Sequence, residues 1–420
     1  MTQLDPRLPH PRFQRTTLPG GVRVVSESIP SMRSIAMGAW VFTGSRDEAP
    51  ERNGISHFIE HMVFKGTARR RMHHIAQRME SVGGYLNAFT GKEYTCYFAR
   101  ALDEHLHRAV ETVCDLILEP QFPERELEKE KEVVLEEMKM YEDNPEDVVF
   151  DRIESVLYKN HALGRPIIGT PETVRSFSRT QLFDHLAGYY TPDRTVIAVA
   201  GHHDHDHLVR LVQDVFARVE RGPHRHSREP AQDYEAGRVL ERVPTQQAHL
   251  VLGTRIFGVH DERRTALSVL NTLLGGGMSS RLNQNIREKY GYCYNIYSYV
   301  NLHSDSGDFG IYMGTDATKV DRSVKLIHRE LDKLSQKPVS ARMLNQAKNQ
   351  VKGSIMMGQE SLSNRMMRLG RQELYFQRYY TLDEVIEHIE AVTVEDVQHL
   401  AQTLFQPEAF SRAVLLPASA

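Results

Sequence analysis

The stretch Gly54-Ile55-Ser56-His57-Phe58-Ile59-Glu60-His61-Met62 has the apolar spacing of a helix laid on a sheet. At about 100° per residue, Ile55, Phe58, Ile59 and Met62 share one face, the one to be buried. His57 and His61 fall within roughly 40° of each other on the opposite face, with Glu60 flanking them. Two imidazoles at i and i+4 can converge on one ion, while the carboxylate between them reaches the position left open on it. Three protein ligands and a free site for water are what a hydrolytic zinc needs. A nearby Glu can take the proton of that water and pass it to the leaving amine. H-x-x-E-H is the inverse of the H-E-x-x-H zinc-peptidase pattern. In a chain with 21 histidines a chance match carries a probability of about one in twenty. The plainer alternative is a solvated helix face, so the surroundings decide.

Outward from this helix, expected over Asn53 to Phe64, the chain alternates strands and helices. GVRVVSESI and SIAMGAWVF precede it as strands, with Gly20-Gly21 at the turn before them. A second helix covers Met72 to Val82 until Gly83-Gly84 stops it, and YLNAFTGKEYTCYFAR returns to strand periodicity. Helices follow from Asp103, Glu124 and Pro145, the last with proline in a favoured first turn, and TVIAVAG is a short buried strand. A polar, aperiodic segment over 221–237 reads as a linker. Beyond it the same order of elements returns: AHLVLGTRIF as strand, a helix to Leu274, Gly275-Gly276-Gly277, then strand pairs and long helices. The expectation is an α+β protein of two duplicated domains, 1–220 and 238–420, each a mainly antiparallel sheet packed against helices.

A third ligand is sought in ERELEKEKEVVLEEMKMYED, where Leu127, Val134, Met138 and Tyr141 make the apolar stripe. Glu130 and Glu137 point within about 20° of each other at its edge, with Lys131 and Glu136 as neighbours. Carboxylates beside a buried face need partners, and a metal plus a ligated His supplies them. From periodicity alone, a simply solvated amphipathic helix carries about even weight.

G-I-S-H-F-I-E-H-M-V-F-K-G-T resembles the active-site helix of the insulinase (pitrilysin-like, inverzincin) metallopeptidases. The family's third ligand is a Glu in a V-I/V-L-x-E helix, matched by Val133-Val134-Leu135-Glu136-Glu137, and Glu137 stands 76 positions after His61. The resemblance makes Glu137 the ligand and Glu130 the outer carboxylate, with one Zn2+ per chain. Gly83-Gly84-Tyr85-Leu86-Asn87-Ala88-Phe89-Thr90 resembles the family's G-G-x-x-N-A-x-T edge strand, implying substrate binding at Asn87, Ala88 and Thr90. A substrate added there as a strand is held through its backbone, with little sequence selectivity. Arg287-Glu288-Lys289-Tyr290-Gly291-Tyr292-Cys293-Tyr294 resembles the family's Arg/Tyr pair, implying that Arg287 and Tyr294 bind substrate carbonyls and stabilise the oxyanion. Tyr292 is the competing tyrosine.

By length the chain is similar to the short two-domain form, as in mitochondrial processing peptidase beta subunits and their bacterial homologues. There two chains pair into a chamber, each supplying half of a clamshell. The resemblance implies a zinc endopeptidase acting on unfolded polypeptides or oligopeptides, with Glu60 as general base. A homodimer is expected, with Arg287 and Tyr294 serving the partner's metal; a heterodimer with an inactive homologue is the variant. A presequence-processing subunit and a non-catalytic scaffold are the alternatives, the scaffold disfavoured because every motif residue is present.

Composition agrees. The chain has 420 residues, 40% of them hydrophobic and 25% charged, with 52 basic against 55 acidic side chains and a net charge of −3. No run of one sign points to nucleic acid or a membrane surface. There is no spanning stretch, and MTQLDPRLPHPRFQRTT lacks the apolar region of a secretory signal. Cys96, Cys114 and Cys293 fit neither a disulfide framework nor a Cys-rich metal site, so a reducing cytoplasmic setting is expected. The run His202-His203-Asp204-His205-Asp206-His207 reads as turn and helix cap rather than as a chelator, and His224 and His226 as solvated linker residues. His73 and His74, adjacent in sequence, cannot share one helix face with His57.

Overall fold

The structure, a computed structural model, describes residues 12–217, 222, 227–231 and 234–418. Strands β1 (Arg12–Thr17), β2 (Arg23–Ser28) and β3 (Ser34–Val41) lead to helices α1 (Ile55–Val63) and α2 (Met72–Glu80). Strands β4 (Tyr85–Thr90) and β5 (Thr95–Leu102) precede helices α3 (Leu106–Leu118), α4 (Glu124–Glu142), α5 (Pro145–Leu157), α6 (Pro171–Ser176) and α7 (Arg179–Tyr189). Strand β6 (Thr195–Gly201) and helix α8 (His205–Phe216) close the first half. The second half begins with β7 (Arg238–Val243), β8 (Ala248–Ile256), α9 (Arg264–Gly275), β9 (Cys293–Leu302) and β10 (Gly307–Thr315). It ends with α10 (Val320–Gln336), α11 (Ala341–Gly358), α12 (Leu362–Phe376), α13 (Leu382–Ala391), α14 (Val394–Leu404) and β11 (Ser411–Pro417).

The strands form two mixed sheets, a six-stranded one ordered β1-β2-β6-β3-β5-β4 and a five-stranded one ordered β7-β11-β8-β10-β9. Without β1, the two have one topology: the first strand runs parallel to the last, and the other neighbours are antiparallel. The duplicated α+β fold expected from the repeated element order is therefore present in both order and direction.

The helix composition of each compact unit is less expected. One unit gathers the first sheet with α1–α3, most of α4, α6–α8 and α12; the other gathers the second sheet with α5, α9–α11, α13 and α14. Each sheet is thus covered by a helix from the far half of the chain. α12 lies on β2, β3 and β6, where Met366, Leu369 and Leu374 meet Val25, Ala36, Trp40, Val196 and Ala198. α5 lies on β7, β8 and β11, where Val149, Ile153 and Leu157 meet Val251, Ala413 and Leu415. The opposite face of the second sheet takes the alternate positions, Ala248, Leu250, Leu252 and Val414, into a larger core with α9, α10 and α14. That is the period of two a doubly covered strand shows. It is also why TVIAVAG, buried at every position, is apolar throughout after Thr195.

Three features lay outside the sequence expectations. YLNAFTGKEYTCYFAR is two strands, β4 and β5, joined by a turn at Gly91. β1, RFQRTT, is a mostly exposed edge strand without apolar alternation. α6 and α7 fill the region before β6, and α7 buries only Leu182, His185 and Leu186. The expected linker 221–237 falls in part outside the described residues, as do His224 and His226. Its described Arg228 is buried against Asp47 (2.9 Å) and Glu93 (3.1 Å). Among the described residues no helix is long and apolar enough to cross a membrane.

Candidate metal centre

α1 begins at Gly54, whose φ of 92° is a left-handed turn that glycine adopts without strain. A side chain at this position would meet the Ile168 carbonyl oxygen at 2.6 Å, so the chain enters the helix through a gap with no room for Cβ. The first helical amides are satisfied from outside the helix. Glu48, buried in the preceding loop, accepts from the Gly54 amide (2.7 Å), the Ser56 amide (2.8 Å) and Asn53 Nδ2 (3.1 Å). Burial pushes this carboxyl up to about 7 against the pull of those hydrogen bonds. Ile55, Phe58, Ile59, Met62 and Val63 are wholly buried, which fixes the rotation of α1 and turns His57, Glu60 and His61 to its other side.

There the imidazoles of His57 and His61 lie 4.6 Å apart between ring centres, tilted by 58°. Their ligand atoms and a carboxylate oxygen of Glu137, from α4, all lie within 4.8 Å of one another. Among the described residues this is the group of His, Cys, Asp and Glu side chains disposed to hold a metal ion. Glu130, two turns before Glu137 on α4, meets His61 Nδ1 through Oε1 at 2.9 Å and Lys65 Nζ through Oε2 at 2.6 Å. Burial alone raises the Glu130 carboxyl, but the bonds to His61 and Lys65 outweigh it and hold it below the ordinary range. A carboxylate only accepts, so His61 donates from Nδ1, and Nε2 is the ring nitrogen left to face a metal. Burial, helped by the neighbouring His61, pushes His57 down to about 3, so its ring is neutral and able to donate a lone pair. Two imidazoles and a carboxylate make a donor set that fits zinc.

Glu60 stands beside this group, its Oε2 accepting from the Thr90 hydroxyl at 2.5 Å. Thr90 ends β4, an edge strand hydrogen-bonded on one side to β5. On the other side the Ala88 amide is taken up by Asn87 Oδ1 at 2.9 Å, while Asn87 Nδ2 donates to the Tyr85 hydroxyl at 2.6 Å. In the second unit Arg287 donates to the Tyr294 carbonyl at 2.9 Å and lies 5.8 Å from the centre of its ring, with Tyr294 87% exposed on edge strand β9.

Lys65 and Glu48 were not anticipated. Lys65 lies in the turn just past the end of α1 and Glu48 in the loop before it, and residues outside a helix follow no period. The His202–His207 run is engaged in structural bonds. His202 meets Asp103 at 2.6 Å, His203 the Gly201 carbonyl at 3.0 Å, and His205 sits between Thr16 and Ser26 at 2.8 Å from each. Asp204 caps α8. The His73 and His74 rings contact each other at 3.9 Å.

Comparison with known proteins places this geometry. Residues 23–171 match the model of the insulinase family, peptidase family M16, and residues 176–351 match the peptidase M16 inactive domain. The chain is 43% identical over 406 residues to the uncharacterized zinc protease YmxG of Bacillus subtilis, covering 96% of this chain and 98% of that one. It is 42% identical over 411 residues to the uncharacterized zinc protease ML0855 of Mycobacterium leprae, covering 96% and 91%. In fold it is similar to a protease from Helicobacter pylori, with a TM-score of 0.90 at 21% identity over 97% of this chain and 100% of that one. The chain belongs to the insulinase family of peptidases, family M16.

Proposed function

We propose that this peptidase is a zinc-dependent endopeptidase that cuts unfolded polypeptides or oligopeptides, with His57, His61 and Glu137 as ligands and Glu60 as general base. The observation that carries the reading is the convergence of those three ligand atoms beside Glu60 and the open edge of β4. Zinc, when bound, supplies a Lewis acid that makes water a nucleophile near neutral pH and polarises the scissile carbonyl. Glu60, oriented by the Thr90 hydroxyl, receives the proton of the attacking water and delivers it to the leaving amine. β4 takes the substrate as an added strand, the Ala88 amide exchanging its bond to Asn87 Oδ1 for one to a substrate carbonyl. Arg287 and Tyr294 stabilise negative charge on the carbonyl oxygen under attack.

Wild type and Glu60→Gln, compared on a quenched unstructured peptide, test this. The variant is expected to keep its zinc and its fold and to lose about a hundredfold to ten-thousandfold in rate. Equal cleavage by both removes Glu60 as the base. Two copies of the chain are proposed to pair, with Arg287 and Tyr294 acting on the partner's metal. Mixing Glu60→Gln with Arg287→Ala subunits then restores activity that neither has alone, whereas no recovery on mixing means both groups act within one chain.

A further inference from the structure

Away from the metal centre, the loop before α2, α2 itself and the start of α3 line an open recess of about 420 Å³, and its walls are cationic. Arg69, Arg70, Arg78 and Arg108 line it together with His74 and the polar side chains of Gln77 and Ser81. Three of the guanidiniums are fixed by carboxylates. Arg70 binds Asp115 at 2.5 Å, with Glu111 at 3.6 Å. Arg78 binds Glu111 at 2.5 Å and Thr112 at 3.2 Å, and Arg69 binds Glu119 at 3.0 Å. Arg108 differs. Its hydrogen bonds go to the Arg78 carbonyl (3.2 Å) and the Ser81 hydroxyl (3.3 Å), and among the described residues it has no carboxylate partner.

A solvated helix face intersperses its charges, and each exposed pair contributes little. Here four guanidiniums share one concavity, and the carboxylates that hold them come chiefly from α3 and its end, at Glu111, Asp115 and Glu119. Burial first, then the charges of Arg70 and Arg108, hold Arg78 below the usual guanidinium range, even with Glu111 in contact. An incoming anion relieves that crowding at Arg108, the guanidinium that no carboxylate neutralises. The volume lies in the range of small-molecule sites.

We propose that this recess is a binding site for a small oxyanion of two or more charges, with Arg108, positioned by Ser81 and lacking a carboxylate, as its principal ligand. The site is separate from the metal centre, and its occupancy bridges α2 to α3. Guanidinium recognises phosphoryl and carboxylate oxygens alike, so pyrophosphate and citrate serve as the two probes, titrated calorimetrically into the zinc-loaded chain and into Arg108→Gln. Both anions also chelate zinc, but stripping of the metal is common to the two proteins, so the difference between them isolates the recess. The expected result is saturable binding to wild type that weakens with added salt. Arg108→Gln should bind about tenfold more weakly, the loss of one charge-assisted contact. The tighter of the two probes then identifies a phosphoryl or a carboxylate source. Arg108→Gln with an unchanged anion-free melting temperature shows that the loss is not one of folding; if that variant melts early, Ser81→Ala, which removes the hydroxyl that holds Arg108 in place, gives the same comparison. Absence of saturable binding, or equal affinity in wild type and variant, overturns the proposal.

Discussion

The proposed metal ligands take their properties from side chains outside the ligand set. His61 holds its tautomer because Glu130 accepts from Nδ1, and Glu130 stays ionised because Lys65 and His61 both bond to it. Replacing Glu130 by Gln is therefore expected to weaken zinc binding by about tenfold to a hundredfold, measured by competition with a chelator, without displacing Glu60. Unchanged affinity means His61 is oriented by other contacts. Glu48 supports α1 differently, and its buried carboxyl has a pH signature. Its folded-state pKa is about 7 against an ordinary 4.5, so folding takes up a proton between those values. The associated stability is full below about pH 4.5 and is lost as pH rises through 7, on the order of a few kcal/mol at full ionisation. Glu48→Gln stays neutral throughout, so its melting temperature should gain on wild type from pH 5 to pH 8. A constant gap between the two across that range shows that Glu48 is already ionised in its cage of hydrogen-bond donors. The helical period put His57 and His61 on one face and the family resemblance pointed to Glu137, the group the fold brings together; Glu48 left no such sign, because its partners are joined by a loop whose path no period encodes.

At the level of elements, α1 and β4 are the pair on which the proposed chemistry depends. α1 could be read closely from its apolar spacing, and the helix found, Ile55–Val63, lies within the span expected. β1 could not be: RFQRTT covers an edge, buries little, and is recruited by the backbone of β2 rather than by apolar alternation. α7 escaped notice for a related reason, since three buried residues in eleven leave a faint stripe. Two substitutions test the pair. Gly54→Ala sets Cβ against the Ile168 carbonyl oxygen and Gly169 in a left-handed turn, and should cost about 2 kcal/mol or more, with zinc lost along with the melting temperature. Ala88→Pro removes an amide that points away from β5 and is not part of the ladder, a position that tolerates proline on an edge strand. It should retain zinc and raise KM for peptides about tenfold or more, the loss of one backbone bond with its desolvated partner. An unchanged KM excludes strand addition at this edge.

Across the whole molecule, the repeated element order made the duplication legible, but the exchange of helices was not, because it rests on contacts hundreds of positions apart. Arg15 on β1 binds Glu373 on α12 at 3.0 Å, and Arg365 binds Glu27 at 2.9 Å. Neither pair leaves a local trace in the sequence, and α12 by itself reads as an ordinary amphipathic helix. What admits α12 to the first sheet is Gly370. A Cβ there would meet Trp40 Cε2 at 2.2 Å and Nε1 at 2.3 Å, ring atoms that cannot swing aside in a wholly buried side chain. Gly370→Ala must lift α12 from β3 or displace the indole, and overpacking of this kind costs typically about 1–3 kcal/mol. Helix propensity works in the opposite direction, since alanine is favoured over glycine inside a helix by about 1 kcal/mol. A net loss of stability therefore measures the close approach and not the backbone. Trp40 is the only tryptophan of the chain, so its emission reports this contact directly. The expected outcome is a lower melting temperature together with a changed Trp40 emission in the folded state. A Gly370→Ala protein that melts higher, with the wild-type spectrum, would show that the helix from the far end of the chain is not held against this sheet through Gly370.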